Sequence, residues 1–184
     1  MPLSSRLTAD LCAVAHNGDM NITALLQDLS QRPIQAVEQL PHLSAEQLNA
    51  HPGGHPNSIA WLLWHSGREV DVQLSHLSGT PEVWEDFRQR FNLGEVGDSL
   101  GYGHSPEQAA EIVVEDQQLL IDYLRAALNA CGVYIAGLSE ADLAEIIDHN
   151  WDPAVTRGAR LISILDDAAQ HVGQAAYAAG ILNR

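Results

Sequence analysis

Asn57-Ser-Ile-Ala-Trp-Leu-Leu-Trp-His65-Ser-Gly-Arg-Glu69 is the stretch that decides the fold. From it onward, apolar side chains return every three or four positions through Ile59, Leu62, Leu63, Val70, Leu74 and Leu77, the spacing of one helical face. Trp61 and Trp64 widen that face until the first half of the helix has to be buried nearly all round, inside a core built from other helices. The spacing predicts a helix from about Asn57 to Leu77, ended by Gly79-Thr-Pro81.

Outward from it, Asn21 can cap a helix carrying Ile22, Leu25, Leu26, Leu29, Val37 and Leu40, with Pro33 removing one hydrogen bond. Ser44-Ala-Glu-Gln47 has the capping-box pattern of a short turn. Ser105-Pro-Glu-Gln108 repeats that pattern and predicts a third long helix through Val113, Leu120, Leu124, Ala127, Cys131 and Ile135 to Gly137. Residues 79–104 form a connection long enough to carry local structure, and Trp84, Phe87, Phe91 and Leu93 predict a short amphipathic helix packed across the bundle as core cover. Ser139 can cap a brief helix to about Ile147, Asp148 to Pro153 reads as loop, and a last helix spans about Arg157 to Leu182. No segment has the alternation of a strand, so the expectation is all-α: a four-helix bundle with a long connection between the second and third helices.

The 184 residues suit one domain, 1–184. A formal net charge of -15, with nine Lys and Arg scattered rather than striped, works against nucleic acid and anionic membrane surfaces. Met1 to Met20 lacks the apolar run of a signal peptide, and no segment offers about 20 uninterrupted apolar residues, so the expected location is the cytoplasm. Cys12 and Cys131 are too few and too far apart for a disulfide framework.

Asp167-Ala-Ala-Gln-His171-Val-Gly-Gln carries the chemistry. At 100° per residue His171 lies on the inner stripe with Ile164, Ala168 and Ala175, and Asp167 is about 40° away, so both face inward. Asp166 is about 140° from His171 and faces solvent. An inward carboxylate needs a compensating partner, and a divalent cation is one answer. His65, among large apolar groups, is the natural third ligand: two imidazoles and one carboxylate leave positions on the ion for water or substrate. The plainer reading is that Asp167 accepts a hydrogen bond from His171, Arg157 or Arg160 and only steadies the last helix. Glu69 can take the other ring nitrogen of His65, serve as an extra ligand or stand as a solvated charge, and the solvated face is preferred. His51, His55, His104 and His149 are assigned to the surface. Arg68, one turn from His65, and Arg157 and Arg160, which open the last helix, are candidates for binding a carboxylate of a substrate or cofactor, with solvated arginine as the default. Neither a nucleophile elbow nor a phosphate-cradling loop is present.

At Gly53-Gly-His-Pro-Asn-Ser-Ile-Ala-Trp-Leu-Leu-Trp-His65, Gly101-Tyr-Gly-His-Ser-Pro-Glu107 and Asp167-Ala-Ala-Gln-His171-Val-Gly-Gln174, the chain resembles the DinB-like superfamily, most of all its actinobacterial members. The resemblance runs from Asn21 onward. It implies a four-helix bundle, often a homodimer, whose divalent ion is held by one histidine of the second helix and an i, i+4 pair of the last. It also implies His65 and His171 as ligands, with Asp167 standing where many members have histidine and the mycothiol-dependent isomerase has glutamate. Aspartate is a methylene shorter than glutamate, so the ion would sit closer to the last helix or be bound through water. Members of known activity include maleylpyruvate isomerase and S-transferases that use mycothiol, bacillithiol or glutathione.

The expectation is thus a site at His65, Asp167 and His171 for zinc, or for nickel, iron or manganese. Its work would be thiol transfer or thiol-assisted isomerisation with mycothiol or a similar thiol, with hydrolysis as the neighbouring chemistry. The competing class is a non-enzymatic stress or small-molecule-binding bundle that has lost the ion.

Overall fold

The computed structural model describes residues 21–183; the readings made on Met1 to Met20, Cys12 included, lie outside them. Four helices form the bundle: α1 (Ile22–Glu38), α3 (Ile59–Ser78), α7 (Gln117–Ala136) and α9 (Arg157–Leu182). Both α3 and α1 lie against α7 and α9, so each helix has two principal neighbours. The fold is all-α, as the helical spacing predicts.

Local chemistry sets the helix starts. Asn21 accepts from Ala24 N, Ser58 from Trp61 N and Thr156 from Ala159 N, each satisfying an otherwise orphaned donor. Both expected capping boxes form, Ser44 with Gln47 at α2 (Ala45–Leu48) and Ser105 with Gln108 at α6 (Pro106–Glu111). The core is nearly dry: Ile59, Leu63, Trp64, Leu120, Leu124, Leu128, Leu161, Ile164 and Leu165 are all fully buried. α7 is long and apolar enough to cross a membrane by length and composition, but Leu120, Leu124, Ala127, Leu128 and Cys131 bury its apolar face in the bundle. Burial pushes the Cys131 thiol up to about 12.

Three expectations on the elements need correction. The third helix does not run unbroken from Ser105 to Gly137, because α6 ends at Glu111 and Ile112 to Asp116 is extended, burying Ile112 and Val114 while exposing Val113 and Glu115. A side-chain amide stands in for a backbone partner there: Asn49 accepts from Val114 N at 3.1 Å and donates to Val114 O at 2.9 Å. Gln117, the first residue of α7, holds a different turn, accepting from Leu43 N at 2.8 Å and donating to Pro41 O at 3.0 Å. The brief helix after Ser139, α8, stops at Ala144 rather than Ile147. Ile146–Asp148 (β1) then pairs antiparallel with Val155–Thr156 (β2), a ribbon too short and irregular to show as strand alternation.

Between α3 and α7, α4 (Trp84–Phe91) and α5 (Gly94–Asp98) fill the long connection. Trp84, Phe87 and Phe91 pack around Tyr123, which confirms the expected core cover. Arg68 is not solvated as expected but 2 % exposed, with its guanidinium on Glu82 at 2.8 Å, on the Tyr123 hydroxyl at 3.3 Å and over the Trp84 ring. Asp71, beside it, accepts from Val83 N, Trp84 N and Tyr123 Oη, tying α4 to α3 and α7.

Candidate metal centre

His65 sits mid-way along α3, 4 % exposed, its ring stacked on Trp61 at 4.4 Å between centroids. Its Nδ1 is 2.7 Å from the carbonyl of Leu100. A carbonyl can only accept, so Nδ1 carries the hydrogen and Nε2 presents its lone pair. Gly101 makes this contact possible: its φ is +85°, and a Cβ there would stand 2.6 Å from His65 Nδ1. Burial pushes the His65 imidazole down to about 4, helped by nearby His171 and opposed by the Leu100 hydrogen bond, so it is neutral near pH 7.

His171, half-buried on α9, repeats the arrangement. Its Nδ1 is 2.9 Å from the Asp167 carbonyl one turn earlier, which again leaves Nε2 as the free acceptor. Burial pulls its pKa down, but the contacts and charge of Asp167 prevail and the net shift is upward. The two imidazole centroids are 4.7 Å apart. Asp167 Oδ2 lies 3.3 Å from His171 Nδ1, yet that hydrogen is committed to the carbonyl, and the buried oxygen has no hydrogen-bond partner.

One donor atom each from His65, Asp167 and His171 thus lies within 4.8 Å of the other two. No hydrogen bond reaches either Nε2 or Asp167 Oδ2 among the described residues. The buried Asp167 Oδ2 beside two imidazoles, with no donor reaching it, is left unsatisfied unless a cation sits among the three. The residues present therefore fit a divalent ion of the nitrogen- and oxygen-binding kind. Asp166 is exposed, as the helix geometry predicts.

Two neighbours of the site depart from the sequence reading. Glu69 is not a solvated charge; it is 7 % exposed, its Oε1 is 3.9 Å from His65 Nε2, and burial together with the Asp167 charge raises its pKa. His104 is not a surface residue but half-buried beside Trp61 and Trp64. It accepts from Trp61 Nε1 at 3.3 Å and meets Ser99 Oγ at 2.8 Å, closing the loop over the back of His65. His51, His55 and His149 are exposed, as expected. The glycines of 94–103 followed by His104 are the one signal in the sequence that this loop is shaped to fit closely.

Arg157 and Arg160 stand apart from the three donors, in the lining of a polar cavity of about 570 Å³ with Gln73, His76, Asp148 and Asn150. Arg157 pairs with Glu145 and donates to Tyr134 Oη, and Arg160 is 3.4 Å from Asp148. A second groove, of about 560 Å³, is lined by Leu62, Gln170, Gln174, Tyr177 and Ile181 with Asn57, and these carry no formal charge. Leu62 and Gln174 are each one helical turn from a site histidine.

Fold and site together define a helical bundle with a two-histidine, one-carboxylate centre suited to a divalent metal. The chain belongs to the DinB superfamily, whose family model matches residues 22–175. It is also similar to a conserved protein from Enterococcus faecalis of known crystal structure, at 36% identity and a TM-score of 0.79, over 87% of this chain and 96% of that one. No curated protein matches it.

Proposed function

We infer that this chain is a divalent-metal-dependent enzyme of the thiol S-transferase or thiol-assisted isomerase type, using a low-molecular-weight thiol such as mycothiol. The observation that carries the metal half is that one donor atom each from His65, Asp167 and His171 lies within 4.8 Å of the other two, with Asp167 Oδ2 buried and without a hydrogen-bond partner. A divalent ion held there supplies Lewis acidity and lowers the pKa of a thiol or water bound to it. Three protein donors leave room for such a ligand.

The surroundings support the thiol half. His65 is neutral near pH 7, and Trp61 and the Leu100–Gly101 turn cover its ring from water. Arg157 and Arg160 provide cations for the carboxylate of an anionic thiol in the polar cavity, Arg160 being the more available because its Asp148 contact is long. The uncharged groove beyond Leu62 and Gln174 suits the apolar body of a second substrate.

Elemental analysis of protein purified without a histidine tag tests the first half: about one equivalent of a divalent metal is expected, lost in His171→Ala. Incubation with mycothiol and a panel of electrophiles, followed by mass spectrometry of the adducts, tests the second. A metal-free wild-type protein would favour the non-enzymatic binding bundle instead.

A further inference from the structure

We propose that Glu69 is a fourth protein ligand of the ion, beside His65 on the same face of α3. The inference rests on the metal reading above and extends it to a residue outside the His65, Asp167 and His171 group. Because the His65 Nδ1 hydrogen goes to the Leu100 carbonyl, Nε2 shows Glu69 a lone pair, and the carboxylate Oε1 shows lone pairs in return across 3.9 Å. Two acceptors facing each other in a nearly water-free place, with Glu69 7 % exposed, repel unless something positive lies between them.

The carboxylate is also held in place. Gln73 Nε2 donates to Oε2 at 2.7 Å, which leaves Oε1 as the oxygen turned to His65. With ligand bonds of about 2.0 to 2.2 Å, two donors on one ion stand roughly 3 to 4 Å apart. The 3.9 Å to His65 is at the wide end of that span, and Glu69 lies outside the 4.8 Å group of His65, Asp167 and His171, so its carboxylate has to draw in as the ion binds. Four protein ligands would close a tetrahedral ion, so a working site with this set takes five or six donors, which iron, manganese and nickel accept readily.

Cobalt(II) titration of the chelator-stripped full chain tests this, because binding and visible absorption are read without any turnover. The wild type is expected to bind one cobalt with the weak absorption of a five- or six-coordinate ion. Glu69→Gln should raise the Kd about tenfold or more and intensify the absorption toward the four-coordinate form, with an unchanged circular dichroism spectrum. Glu69→Asp, which keeps the charge but withdraws the oxygen by a methylene, should weaken binding as well and serves if the first variant fails to fold. Wild-type Kd and spectrum in a folded variant would overturn the proposal, while His171→Ala still losing the ion would leave the metal reading standing. A wild type that binds no cobalt would overturn both.

Discussion

His65 Nδ1 and the Leu100 carbonyl oxygen are 2.7 Å apart, and this contact between a core helix and a loop fixes which nitrogen of His65 faces the site. A metal-binding imidazole is commonly oriented by a hydrogen bond at its other nitrogen, and loss of such a partner costs 10- to 100-fold in metal affinity. Here the partner is main chain, so the side chain of Leu100 cannot be the determinant. The backbone path is, and Gly101 controls that path.

Gly101→Ala should therefore weaken metal binding without touching a ligand. At φ +85° a Cβ is strained, and it would meet His65 Nδ1 at 2.6 Å and Trp64 at 2.9 Å. The expected outcome is a metal Kd raised about tenfold or more, read by chelator competition. The exposed Gly103→Ala is the control: its φ is +75° but no atom stands near, so it should strain the loop and leave affinity within a few-fold of wild type.

Acid should release the metal through His171 before His65. A proton competes with the ion for each Nε2. His171 titrates from above its ordinary value because the Asp167 contacts outweigh burial, whereas burial holds His65 down to about 4. As pH falls below the raised His171 value toward about 5, log Kd should rise by about one per pH unit, the slope of a single competing proton. A slope near two over that range would mean that both imidazoles take up protons together.

The helix positions of His65, Asp167 and His171 were legible because a 3.6-residue period fixes which side chains share a face, and burial then sorts a polar residue inward. Glu69 shows where that logic stops. It lies four residues from His65 on a charged-looking turn, and only the packing of α9 against α3 decides that this turn is covered. The break at Ile112 to Asp116 was equally hidden, since the side chain that takes up the Val114 backbone bonds, Asn49, comes from a remote turn. Leu100 could not be read at all, because a carbonyl has no residue signature.

Asp71→Ala should unfold the protein more easily without removing the metal donors. The substitution strips the acceptor from Val83 N, Trp84 N and Tyr123 Oη, and takes a carboxylate 3.8 Å away from buried Arg68. Breaking one side of a buried ionic network costs about 3 to 5 kcal/mol, and Glu82 remains to hold Arg68, so the loss should lie near the lower figure. Urea denaturation gives the number; a loss below about 1 kcal/mol would mean that α4 is anchored by its aromatic contacts alone.

Asn49→Asp tests whether the extended segment between α6 and α7 depends on a side chain acting as a neighbouring strand. The amide both accepts from Val114 N and donates to Val114 O, and only a group with one acceptor and one donor can do both. Ionised aspartate keeps the first bond and turns the second into an oxygen facing an oxygen. Protonated aspartate can donate again. The variant should be about 1 to 3 kcal/mol less stable than wild type at pH 7, and the gap should narrow as pH falls through the carboxyl range toward 4. Asn49→Ala loses both Val114 bonds and the donation to Ala45 O at every pH, so its deficit should stay constant over the same interval. If the two variants showed the same pH dependence, the Val114 carbonyl would be satisfied by solvent and the break in the helix would have another cause.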